Sequence, residues 1–160
     1  MKLADLIMAD AYERGVRHFF GLPGGGAPLD LMEGGRKIGV DFIAVAHESS
    51  AAIMAAYNGL MNETAGVALA IKGVGAANLA SGAATTYFER APVICYCESA
   101  PDDAMGRELV SLCEHEKLFG PMAKYYARLN PEQAGNVIQE AAFWANDGRP
   151  GPVLVDIPSD

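Results

Sequence analysis

The chain has 160 residues, of which 51% are hydrophobic and 20% are charged, so its composition predicts one folded domain and excludes a disordered chain. Its formal net charge of -8 at pH 7 would repel phosphate backbones, so nucleic acid is excluded as an expected partner. No apolar run reaches the about 20 residues of a membrane span, and the first residues lack the apolar stretch of a signal peptide. We therefore expect no membrane contact and a cytoplasmic protein.

Short apolar runs alternate with segments of helical periodicity along the whole chain. The predicted strands cover residues 16–20, 41–46, 66–71, 92–97, 124–129 and 153–157. The predicted helices cover residues 3–15, 27–34, 51–60, 79–88, 108–119 and 131–145. The pair Gly34 and Gly35 is expected to stop the second helix, and the polar fifth strand is expected at a sheet edge. This alternation predicts an α/β, flavodoxin-like, doubly wound domain with about six mainly parallel strands and helices on both faces.

The second predicted strand is followed at once by two polar residues. Residues 41–46 are apolar after the first, which indicates a buried parallel strand, and then His47 and Glu48 precede a helix of small residues. Glu48 can be a carboxylate of a ligand site, because α/β sheets bind ligands at the carboxyl ends of their strands. It can equally be an acidic residue that suits the start of a helix. His47 either orients Glu48 or a substrate, or is a hydrogen-bonded histidine at a strand end.

Three loops that follow predicted strands share one rim of the sheet. They are residues 21–26, 47–49 and 72–78, and the glycines of the first and third allow the backbone to approach a ligand closely. The pattern Gly73-x-Gly75-x-x-Asn78 nearly matches a dinucleotide fingerprint, and Glu98 lies at a distance suited to binding a ribose. A non-catalytic nucleotide-binding α/β module is therefore one hypothesis, while the glycines can also serve only to form a turn.

The three cysteines do not form a regular disulfide framework. Cys95 and Cys97 flank one residue of an apolar run, so both should point to the same face of a strand. With His115 they could be imagined as metal ligands, but we expect buried, reduced cysteines and no metal site in this chain.

Four segments carry a more specific pattern, in order and over essentially the whole chain. They are Phe20-Gly-Leu-Pro-Gly-Gly25, Ala46-His-Glu48 with Ala51-Ala52, Lys72-Gly-Val-Gly-Ala-Ala-Asn78-Leu79 with Gly82, and Gly148-Arg-Pro-Gly-Pro-Val-Leu-Val-Asp-Ile-Pro158. Together they resemble the N-terminal pyrimidine-binding (Pyr) domain of thiamine diphosphate-dependent enzymes, in the acetolactate synthase and benzoylformate decarboxylase group. The resemblance assigns residues 1–160 to one Pyr domain.

The resemblance implies roles for individual residues. Glu48 would be catalytic: it would hydrogen-bond N1' of the aminopyrimidine of thiamine diphosphate and favour the imino tautomer that removes the C2 proton. Gly25 and Lys72 would face a 2-oxo acid substrate. The residues implied at the cofactor are Pro23, Gly24, Glu48, Gly73, Gly75 and Asn78.

The resemblance also implies a missing half. The diphosphate-binding (PP) domain of this family carries a Gly-Asp-Gly motif that helps to hold Mg²⁺, and this sequence has none. We therefore expect an enzyme that is incomplete without a PP domain, a decarboxylase or carboligase whose 2-oxo acid stays open because Glu98 replaces the usual Gln. A natural small subunit, as in sulfopyruvate decarboxylase-like two-chain enzymes, is the alternative. A homodimer or larger assembly is expected, with contacts at Met54, Tyr57 and Tyr87.

Overall fold

A computed structural model describes residues 2–101 and 113–159, and within them one six-stranded sheet is entirely parallel. Its strands are β1 (His18–Gly21), β2 (Asp41–Ala44), β3 (Gly66–Ala70), β4 (Val93–Ser99), β5 (Tyr126–Arg128) and β6 (Pro152–Pro158). The helices are α1 (Leu3–Glu13), α2 (Ala27–Ile38), α3 (Glu48–Met61), α4 (Val74–Glu89), α5 (His115–Phe119) and α6 (Ala134–Asn146). The strand order is β2-β1-β3-β4-β6-β5, which confirms the doubly wound α/β prediction.

Two apolar layers cover the two faces of the sheet. Because successive strand residues point to opposite faces, Phe19 joins the core under α1, α2 and α6, whereas Phe20 joins the core under α3 and α4. The second core is rich in alanine, so α3 and α4 lie close to the strands. The closest approach is at Gly66, where a Cβ atom would lie 1.8 Å from the carbonyl oxygen of Ala55.

The second strand and the second helix differ from their predictions. The expectation of a buried strand at residues 41–46 is wrong, because β2 pairs only with β1 at the sheet edge and Asp41 and Ala44 are exposed. The expected helix stop at Gly34 is also wrong. Gly34 and Gly35 are buried, a Cβ at the first would lie 3.1 Å from the carbonyl oxygen of Ala4, and α2 continues to Ile38. The two glycines therefore allow α2 to pack closely against its neighbours. For the fifth strand, the predicted position at a sheet edge is confirmed, because β5 ends the strand order.

Helix starts differ more than helix ends. α4 begins at Val74, five residues earlier than predicted, because Gly73 caps it with a φ of 69°. α6 begins at Ala134 after a turn in which Asn130 Oδ1 accepts a 2.9 Å hydrogen bond from the amide of Gln133. In the helix predicted at residues 108–119, His115–Phe119 are helical, and residues 108–112 lie outside the described part.

The cysteines are free thiols. Cys95 and Cys97 are fully buried in β4, and burial raises the pKa of the Cys95 thiol to about 12. Among the described residues, no group of three or more histidine, cysteine, aspartate and glutamate side chains is placed to hold a metal ion. Within the same residues, no helix is both long and apolar enough to cross a membrane.

Candidate functional site

Glu48 is buried at the rim formed by the carboxyl ends of the strands. It is the first residue of α3, so it does lie at a helix start, but only 4% of its surface is exposed. The side-chain amide of Asn78 on α4 donates a 3.0 Å hydrogen bond to its Oε2 atom. Within the described residues, no donor forms a hydrogen bond with Oε1. A buried carboxyl group oriented through one oxygen is suited to proton exchange at the other.

Two glycines keep the space beside this carboxyl group small and backbone-lined. A Cβ at Gly75 would lie 3.2 Å from Glu48 Oε1 and 2.8 Å from a methyl carbon of Ile71. A Cβ at Gly24 would lie 2.4 Å from another methyl carbon of Ile71. The first and third glycine loops therefore meet on the two sides of one side chain, beside Glu48. Ile71 itself was missed, because an apolar residue at a strand end carries no functional signal.

The remaining residues of the first loop are more open. Pro23 and Gly25 are exposed, and a Cβ added at Gly25 would meet no atom within 4 Å. The structure therefore brings Gly75 and Asn78 to Glu48, places Gly24 against Ile71, and leaves Pro23 and Gly25 on the outer part of the loop.

Lys72 forms an ion pair inside the same rim. Its Nζ atom lies 2.5 Å from Oε1 of Glu98, and only 4% of the Glu98 side chain is exposed. Oε2 of Glu98 is buried without a partner among the described residues. It faces Gly26, the N-cap of α2, where a Cβ would lie 2.8 Å away. Lys72 and the positive end of the α2 dipole together balance this carboxylate.

His47 caps α3. Its Nδ1 atom accepts a 3.3 Å hydrogen bond from the amide of Ser49 and lies 2.7 Å from the hydroxyl oxygen of the same residue. His47 is thus a hydrogen-bonded histidine between β2 and α3, which agrees with the second of its two interpretations.

A second polar cluster was missed from the sequence. His115 is 3% exposed, and its Nδ1 atom lies 2.8 Å from Oδ1 of Asp156 on β6. The Tyr126 hydroxyl donates a 3.1 Å hydrogen bond to the other carboxylate oxygen, and burial together with this carboxylate raises the Tyr126 pKa. The backbone amide of Gly73 donates a 3.3 Å hydrogen bond to His115 Nε2. The only signal in the sequence was a lone acidic residue, Asp156, in the apolar run of β6.

Comparison with known proteins yields one family. Residues 1–112 match the family described as "Thiamine pyrophosphate enzyme, N-terminal TPP binding domain". The acetolactate synthase large subunit of Buchnera aphidicola subsp. Acyrthosiphon pisum is 30% identical over 159 residues, which is 98% of this chain and 28% of that protein. Acetolactate synthase isozyme 3 large subunit of Escherichia coli is 32% identical, with the same shares covered. A probable acetolactate synthase large subunit of Methanocaldococcus jannaschii is 33% identical, over all of this chain and 27% of that protein. The chain thus spans little more than a quarter of these relatives.

Proposed function

The chain belongs to the thiamine pyrophosphate enzymes as their N-terminal TPP-binding domain, and from this premise we propose that it is the Pyr half of an acetolactate synthase-like enzyme acting on 2-oxo acids. Its cofactor is thiamine diphosphate. The observation that carries the proposal is the buried carboxyl group of Glu48, which Asn78 orients and which faces the backbone of Gly75.

The residues around Glu48 fit an aminopyrimidine ring. A flat ring with a nitrogen acceptor needs a narrow space and one proton-sharing group, which the glycine-lined floor and Glu48 Oε1 provide. Glu48 would hold and exchange the proton at the ring nitrogen N1', and Asn78 would keep the carboxyl group in the ring plane. Thiamine diphosphate held by these residues would supply a nucleophilic carbon for chemistry at a 2-oxo group. The backbone around the ring would come from Pro23, Gly24, Gly73 and Gly75.

The substrate side of the proposal concerns Gly25 and Lys72. Gly25 is exposed at the rim, so its backbone is accessible to a ligand. Lys72 would approach the substrate carboxylate, but its ammonium group is already paired with Glu98. A substrate anion would therefore share this lysine with the buried carboxylate. Because the pair lowers the net charge that a substrate meets, we propose that the Glu98 side chain limits how strongly the site attracts anions.

The missing part of the site is assigned to a PP domain of the same or another chain. That domain would contribute the groups that hold Mg²⁺ and the diphosphate, since the sequence contains no Gly-Asp-Gly motif. The enzyme is therefore complete only with both domains. Three free cysteines are consistent with a reducing, cytoplasmic location, which is part of the same proposal.

Calorimetry tests this function directly. We expect thiamine diphosphate with Mg²⁺ to bind when the chain is combined with a PP-domain partner, and NAD to give no heat under the same conditions. A Glu48→Gln variant should retain most of the affinity, because the amide keeps the shape of the side chain. Binding of NAD to the chain alone, weakened by Glu98→Gln, would instead support the nucleotide-binding hypothesis.

Association is expected through the exposed side of α3. Met54 and Tyr57 are 42% and 44% exposed, and Met61 on the same helix is 84% exposed. This apolar surface favours contact with a second copy or with the PP domain. Tyr87, the third contact residue predicted from the sequence, is less exposed than Met54 and Tyr57. Its ring packs against Phe88, and the guanidinium carbon of Arg149 lies 5.0 Å from the centre of the ring.

A charge placed on that surface should weaken self-association. We expect Tyr57→Glu to shift the sedimentation of the chain toward the monomer, because a carboxylate would have to lose its water in the contact. Phe143→Glu is the matched control, since Phe143 is 56% exposed on α6, which covers the opposite face of the sheet. A wild-type chain that sediments as a monomer at high concentration would contradict the expected assembly.

A further inference from the structure

The buried cluster of His115, Asp156 and Tyr126 ends on the backbone of the glycine loop. His115 Nε2 can accept the hydrogen bond from the Gly73 amide only while this nitrogen carries no proton. In the neutral ring the proton then sits on Nδ1, which donates it to Asp156 Oδ1 at 2.8 Å. Tyr126 occupies the other oxygen of the same carboxylate. The contacts thus select one tautomer of His115 and one orientation of its ring.

Gly73 is held at both of its backbone groups. Its amide donates to His115, and its carbonyl oxygen accepts a 2.9 Å hydrogen bond from the amide of Ala77 in the first turn of α4. Its φ of 69° lies in the left-handed region, which glycine adopts readily because it has no Cβ atom. No side chain of its own restricts the orientation of this peptide, so its hydrogen bonds do. The bond to His115 thus connects the N-cap of α4, through the histidine ring, to Asp156 on β6.

The start of α4 carries the groups that contact Glu48. Gly75 lies beside Glu48 Oε1, and Asn78, one turn further, donates to Oε2. A shift of the first turn of α4 would move both groups against the carboxyl group. Positions of catalytic groups must hold to within a fraction of an ångström for efficient proton transfer.

We infer that His115 is a positioning residue for the cofactor site: in the tautomer selected by Asp156, it holds the Gly73 amide and thereby the α4 turn that orients Glu48. His115 acts through the backbone of the loop and not through contact with cofactor or substrate. The inference rests on the proposed function for its catalytic consequence, while the tautomer and the held amide stand on the contacts alone.

The wild-type chain provides the first measurement. The chain has only three histidines, so ¹⁵N-histidine labelling gives a spectrum in which His115 is assigned through its substitution. We expect a protonated Nδ1, an unprotonated Nε2 and a Gly73 amide protected from hydrogen exchange. A protonated Nε2 in the wild-type chain at neutral pH would overturn the inference.

Substitutions separate positioning from simple stabilisation. His115→Leu removes the acceptor, and we expect Gly73 protection, cofactor affinity and C2-proton exchange to fall about tenfold to a hundredfold in the enzyme assembled with its PP domain. His115→Gln keeps an acceptor oxygen and should retain Gly73 protection and rescue most of the affinity. His18→Leu is the control, since His18 is the first residue of β1 and lies at the amino end of that strand, away from the rim that holds Glu48.

The outcomes distinguish this inference from the proposed function. A His115→Leu chain that loses only stability toward urea, with Gly73 protection and C2-proton exchange as in the wild type, would make the cluster purely structural. If His115→Leu fails to fold, His115→Gln and the wild-type tautomer decide. If the wild-type assembly binds no thiamine diphosphate, the proposed function fails. Loss of Gly73 protection in His115→Leu and its retention in His115→Gln then still decide whether the histidine holds the loop.

Discussion

Replacing Glu48 with glutamine should lower the rate of C2-proton exchange of bound thiamine diphosphate by about 10²–10⁴-fold, the range typical of lost general acid–base catalysis. The glutamine amide group can still hydrogen-bond the pyrimidine, and its oxygen can still accept the hydrogen bond from the side chain of Asn78. The fold and most of the cofactor affinity should therefore remain. It cannot share a proton with the ring nitrogen. The measurement is hydrogen–deuterium exchange at C2 in the chain assembled with its PP domain, before any 2-oxo acid is added.

Because this defect precedes substrate binding, it should have the same size for every 2-oxo acid. Glu89→Gln is the matched control, since Glu89 is an exposed carboxylate at the far end of α4 and should exchange as the wild type does. Asn78→Ala should give a smaller defect, because it removes the hydrogen bond that orients Glu48 but leaves the carboxyl group in place. An unchanged exchange rate in Glu48→Gln would return Glu48 to the role of a helix-start residue.

Gly66→Ala should lower the free energy of unfolding by about 3 kcal/mol or more, because its methyl group would overlap the main chain of α3. The added Cβ would lie 1.8 Å from the carbonyl oxygen and 2.4 Å from the carbonyl carbon of Ala55. A backbone group cannot rotate out of the way, so the whole helix must move off the sheet. The shift in the urea unfolding midpoint measures this loss.

The control for this substitution is Gly135→Ala in α6. Nothing lies within 4 Å of a Cβ at Gly135, so alanine should stabilise the helix by about 0.5–1 kcal/mol through its higher helix propensity. Equal unfolding midpoints for the two variants would show that α3 and β3 are not in close contact. Since α3 also begins with Glu48, Gly66→Ala should in addition weaken cofactor binding in the assembled enzyme.

Close packing explains two glycines that were expected to stop a helix, Gly34 and Gly35, and one that was expected in a strand, Gly66. Gly34, Gly35 and Gly66 lie in regular elements, and each lacks a Cβ because a neighbouring helix or strand occupies its place. In contrast, Gly73 and Gly39 do end or begin helices, with φ values of 69° and 78°. A glycine in a sequence shows only that a side chain is absent. The tertiary structure shows whether the reason is a positive φ or a neighbouring atom that occupies the place of the Cβ.

The sequence by itself determined the α/β class, the alternation of strands and helices, and the carboxylate and glycine loops at one rim. These features depend on local periodicity and on motifs of a few residues, which the linear chain displays in full. The tertiary structure alone decided that β2 is an edge strand, that Lys72 pairs with Glu98 across 26 positions, and that His115 pairs with Asp156 across 41. Such contacts are set by strand order and by burial of both partners, because neither side chain carries a local signal of what will lie opposite it after the chain has folded.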